Sequence, residues 1–295
     1  MIEVNWTAST AASAYYTASV LARAGVPVDG RLSQILAAPT AALAAGITEA
    51  GISPDEFWRQ IVPLAAEIED HRELAGQAFL RSTGHPPTDE VVTQLAEQLR
   101  ALREVFEEAV PDVQRQLTLR AGPLRELWEG RGPGLLAAIG RMTDRGLIVE
   151  RATALPVTPI SGGGGDAYAG HGKVAIEAVL ANPHPDLPEV ARLGWLIARL
   201  GCELPGFGSA VSKSRLPWIV SVAMISPALA AAEYVELAQL NPSTLQRALQ
   251  VWHVVEPSQV DDTAAMLDRW WRTYQEERVP WGVALAALDQ ILAAD

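Results

Sequence analysis

Between two helix-patterned halves, the chain carries Ser161-Gly162-Gly163-Gly164-Gly165-Asp166-Ala167-Tyr168-Ala169-Gly170-His171-Gly172-Lys173, with six glycines in the eleven residues 162–172. Glycine loses more backbone freedom on folding than any other residue, so such a run resists a helix interior and divides the chain. It marks close backbone approach, unusual dihedrals or a flexible connection. The proline-rich residues before it hold the best strand candidates, Leu147-Ile148-Val149 and Val157-Thr158-Pro159-Ile160. These are able to pair as one short hairpin, with Pro156 and Pro159 confining the second strand to an edge.

Helix punctuation fills the first half. Ser53-Pro54-Asp55-Glu56 has the form of a capping box with proline at the first helical position, which predicts a helix from Pro54. Phe57, Ile61, Leu64, Ile68, His71, Ala75 and Ala78 follow at spacings of four and three, with Pro63 kinking the helix. A second long helix is expected from Asp89, capped by Thr88, to Val110. Its buried face is Val91, Leu95, Leu99, Leu102, Phe106 and Ala109. Shorter helices are expected over residues 10–24, 31–37, 40–50, 113–120 and 133–142.

The second half repeats this pattern. Asp186-Leu187-Pro188-Glu189 and Ser243-Thr244-Leu245-Gln246 read as helix starts, and Leu267, Trp271 and Tyr274 recur at helical spacing. Lys173 to Ala181 also reads as a helix. The nine tryptophans fall mostly on faces aimed at a core. The fold expected is all-α: a helical lobe over 1–152, a proline- and glycine-rich connection over 153–172, and a second helical lobe over 173–295.

Charge narrows the functional classes. With 35 acidic against 23 basic residues, a net charge of −12 and no basic cluster, the chain lacks the face that nucleic acid requires. Cys202 is the single cysteine, so neither an intrachain disulfide nor a cysteine-based zinc cluster is expected. The first residues carry no basic n-region, which predicts a cytoplasmic protein. The longest uncharged run, Leu216 to Ala232, is short for a bilayer and carries Pro217 and Pro227, so it is expected to be a core helix.

No catalytic constellation is complete, so the leading expectation is a cytoplasmic helical interaction or scaffold protein. The alternative is an enzyme or binding protein for an anionic small molecule at the glycine segment. There Gly170, Gly172 and Lys173, at a helix N-terminus, would bind the anion, His171 would act as acid or base, and Glu177 would orient either side chain. Overlaid on the segment, the dinucleotide and P-loop patterns both fail, the second because Val174 replaces the magnesium-binding hydroxyl. A third reading is a helical metalloprotein using Glu67, His71, His253 and Glu256, which requires the lobes to bring these residues together. No metal or cofactor is expected.

Overall fold

The computed structural model describes residues 2–23, 26, 28 and 30–293. Strand β1 (Glu3–Trp6) is followed by helices α1 (Thr10–Leu21), α2 (Gly30–Glu49), α3 (Pro54–Leu64), α4 (His71–Thr83), α5 (Asp89–Ala109) and α6 (Val113–Met142). Strands β2 (Arg151–Val157), β3 (Gly165–Tyr168) and β4 (Lys173–Glu177) come next. The chain closes with α7 (Glu189–Cys202), α8 (Pro205–Gly208), α9 (Leu216–Ala223), α10 (Ile225–Tyr234), α11 (Pro242–Val251), α12 (Val260–Glu277) and α13 (Trp281–Ile291).

The protein is mostly helical, as the helix spacing predicts, and carries a small sheet besides. A four-stranded sheet lies at its centre in the order β1-β2-β4-β3, with β1, β2 and β4 parallel and β3 antiparallel to β4. The hairpin expected between 147–149 and 157–160 does not form. Leu147 instead closes a 3-10 turn, and β2 joins partners far away in sequence. The expected helix from Lys173 is strand β4, buried along its whole length. Sandwiched between β2 and β3, β4 has both faces covered, so it reads as a short, nearly continuous apolar run. At five residues that pattern does not distinguish a strand from a buried helix.

The sheet separates two apolar cores. Leu155, Val157, Tyr168 and Ala175 face the core built by α1 to α5. Ala152, Ala154, Ala167, Val174 and Ile176 face the core of α7 and α9 to α13. This alternation follows the period of two along each strand. Helix α6 crosses from one core to the other: Val113 and Leu117 belong to the first, Leu124 through Ile139 to the second.

Proline misleads in two directions. Pro63 does not kink a longer helix; α3 stops at Leu64, and α4 starts afresh where the Asp70 side chain accepts from Glu73 N at 2.8 Å. By contrast, α2 runs through Pro39 and α6 through Pro123 and Pro133, where separate short helices were expected. Burial of Leu36 and Leu43 on α2, and of Leu124, Leu135 and Leu136 on α6, offsets a local cost of about 3 kcal/mol per proline. Helix α11 is capped by Asn241 rather than Ser243, in a reciprocal box with Thr244. The run Leu216–Tyr234 is long and apolar enough to cross a membrane by length and composition; 72% of it is buried.

Candidate functional site

The glycine loop is packed and internally satisfied. Glu177, fully buried at the end of β4, accepts hydrogen bonds from Ser161 N (3.1 Å), Ser161 Oγ (2.9 Å) and Gly162 N (2.6 Å). Gly162 takes the left-handed φ of +80° that lets successive N–H groups turn toward one carboxylate. At Gly163 a Cβ would stand 2.3 Å from the Val251 carbonyl oxygen, and at Gly164 2.6 Å from Tyr16 Oη and 2.7 Å from Glu177 Oε1. Buried Arg192 ties the loop to β4, donating to Gly164 O at 2.8 Å and Glu177 O at 2.7 Å while pairing with Glu189. The anion held by this loop is the protein's own Glu177.

The residues read as an anion site lie beside that loop but do not converge. Because β4 replaces the expected helix, no helix N-terminus stands at Gly172. Gly170 is exposed and Gly172 sits in a left-handed turn, φ +61°, between β3 and β4. Lys173 is buried, and its Nζ donates to Pro63 O at 2.8 Å and pairs with Glu67 at 2.7 Å. His171 Nε2 lies 2.8 Å from Gln60 Oε1. Burial, with Arg81 and Lys173 adding to it, pushes the His171 pKa down to about 4. These contacts tie the β3–β4 turn to α3 and to the α3–α4 connection; Glu177 faces the glycine loop instead.

The metal set also stays apart. Glu67 is engaged by Lys173, His71 starts α4, and His253 follows α11. No group of three or more His, Cys, Asp or Glu side chains that could hold a metal occurs among the described residues.

A different set of residues meets between the lobes. A cavity of about 380 Å³ is lined from the first lobe by Arg23, Trp58 and Arg59, and from the second by Trp195, Arg199 and Trp218, with Asp166 of edge strand β3 beside them. A larger cavity of about 720 Å³ adjoins it, and Arg23, Trp218, His253 and Val254 line both. Trp195 stacks on Trp252 with centroids 5.0 Å apart, and the Arg199 guanidinium lies 4.9 Å above the Trp195 ring. The Trp195 N–H is satisfied by Ser221 O at 2.9 Å, which fixes the aromatic wall.

Charge in this cleft is concentrated: Asp55 and Asp166 line it together with Arg23, Arg59 and Arg199. Asp166 bridges Arg23 (2.7 Å) and Arg199 (3.3 Å). Burial would push its carboxyl up, but the two guanidinium groups outweigh it and hold the pKa below the usual range. Glu203, 4.0 Å from Arg199, behaves oppositely: burial dominates over the attraction of Arg199 and lifts it to about 7. Arg59 has no ion-pair partner among the described residues. Trp58 and Arg199 are each only 4% exposed, yet Trp58 Nε1 and Arg199 Nε have no hydrogen-bond partner.

His253 adds backbone strain at the junction of the two cavities. It occupies the left-handed position after α11, φ +53°, with His253 N bonded to Gln250 O and Val254 N to Leu249 O. Glycine or asparagine usually fills that place. Burial lowers the His253 pKa against the opposing pull of Glu177, and Nε2 is buried without a partner.

Sequence reasoning named His253 for a metal site and passed over Arg23, Arg59 and Arg199. One signal was readable. Arg192 and Arg199 fall seven residues apart in α7, a helix otherwise so apolar that it must be buried nearly all round. An arginine in such a helix requires partners. Comparison of the chain with protein families, with curated proteins and with solved structures finds no match.

Proposed function

We propose that this protein binds an anionic small molecule in the cleft between its two lobes. The observation that carries the reading is the gathering of Arg23, Arg59 and Arg199 around one open cavity with a stacked tryptophan wall. Arg23 and Arg199 share Asp166, while Arg59, half-buried and with Asp55 in the same lining, makes no ion pair among the described residues. A carboxylate or phosphate oxygen beside the Arg59 guanidinium would gain a charge-assisted hydrogen bond. Backbone strain at His253, in the wall shared by both cavities, points to the same place. The scaffold reading draws on exposed apolar side chains, but Leu119, Leu180, Tyr234 and Val283 lie on separate elements, and singly exposed apolar residues are ordinary.

Benzoate and inorganic phosphate at millimolar concentration test the proposal by calorimetry and thermal melting. At least one is expected to bind and to raise the melting temperature by mass action. Arg59→Gln, which removes a partly exposed side chain, is expected to weaken that binding about tenfold or more by deleting a charge-assisted contact. A wild-type protein that binds neither anion would overturn the reading.

A further inference from the structure

The two adjoining cavities differ in chemistry, and the difference constrains what spans them. The smaller one is lined by Arg23, Arg59 and Arg199 with Asp55 and Asp166, so an apolar group there would desolvate charges without offering them a partner. The larger one is walled by Val26, Val251, Val255, Pro183 and Pro257. Its Arg247 is engaged by Asp186 at 3.3 Å, and Glu256 lines the same chamber. A second anionic group would therefore meet apolar walls, a neutralised cation and a carboxylate.

The residues common to both cavities mark where the two adjoin. Arg23 stands on the first lobe; half-buried Trp218, His253 and Val254 stand on the second. A volume of about 720 Å³ is within the range that encloses most of a drug-sized molecule. We infer that the ligand is an elongated amphipathic anion, with its acidic group in the smaller cavity and an apolar body in the larger one. This inference rests on the cleft being a ligand site, as proposed above. Trp218 then becomes the side chain against which the middle of the ligand lies.

Three probes separate head from body: benzoate supplies the acid with a small ring, phenylbutyrate adds a methylene chain, and phenylbutanol keeps the body without the charge. Calorimetry is expected to show phenylbutyrate binding about tenfold or more tighter than either of the others, because buried methylenes and the charge contribute separately. Val255→Trp, which fills the larger cavity alone, is expected to abolish the advantage of phenylbutyrate over benzoate and leave benzoate binding unchanged. Gln250→Trp, at an exposed edge of that cavity, serves the same purpose if Val255→Trp fails to fold. If benzoate binds and phenylbutyrate binds no tighter, or if filling the larger cavity changes neither, the amphipathic ligand is ruled out while the anion cleft stands. If none of the three binds, and phosphate also fails, the cleft reading falls and takes this inference with it.

Discussion

The glycine loop and the interlobe cleft both gather hydrogen-bond donors around a place for negative charge, and they are near neighbours, since Ser161 and Gly162 line the larger cavity. In the loop the charge is covalently part of the chain: Glu177 takes three donors and leaves no room for another occupant. In the cleft, Asp166 is shared by Arg23 and Arg199, and the half-buried Arg59 makes no ion pair among the described residues, which leaves room for an acceptor from outside. Glycine density alone therefore does not locate an anion site. What separates a structural nest from a ligand site is whether the protein supplies its own acceptor.

The contrast breaks first at Glu177. Glu177→Ala is expected to cost about 3 kcal/mol in a denaturant titration, since three partly buried donors lose their acceptor together. A loss below about 1 kcal/mol would mean that the loop does not depend on its internal anion.

Much of this organisation was legible in advance and some was not, for identifiable reasons. Helix α5 was readable because Thr88 caps it and Leu95, Leu99, Leu102 and Phe106 keep one stripe throughout. Strand β1 was not, because Glu3 to Trp6 is four residues long and its partner is Arg151–Ala154, far along the chain. Lys173 drew attention as a cation beside glycines, but its partners, Pro63 and Glu67, are set by tertiary packing. The cleft was hidden for the same reason: Arg23, Arg59, Asp166 and Arg199 come from four different elements or their ends.

Glu203 gives a smaller, pH-dependent test. Its folded pKa of about 7 lies above its ordinary value near 4.5, so ionisation destabilises the fold. The penalty is absent below pH 4.5, grows through the interval and is complete above 7. Glu203→Gln is thus expected to be more stable than wild type by about 2–3 kcal/mol at pH 8, with the difference vanishing near pH 4.5. Equal stabilities across that range would show that Glu203 ionises freely and that the cleft is less desolvated than its geometry implies.

The smallest effect is expected at His253. His253→Gly removes the left-handed strain and should change stability by about 1 kcal/mol or less, in the stabilising direction, because relief of the backbone competes with loss of ring contacts. The same variant should weaken binding of a cleft ligand, as seen by calorimetry. A variant that loses stability strongly but binds normally would assign His253 to the architecture of the α11 terminus rather than to the cleft.

The central position of β4 also sets an order of events during synthesis. The first core contains residues through Leu117, yet one wall of it includes Leu155, Val157, Tyr168 and Ala175. At about 5–20 residues per second, a ribosome adds the intervening 60 or so residues over roughly 3–12 seconds. For that interval the segments of α1 to α5 have been synthesised while the strands that wall their core have not. The nascent chain must therefore keep an apolar face covered until its own later strands emerge, and the first lobe becomes independent of such protection only when Glu177 has cleared the exit tunnel.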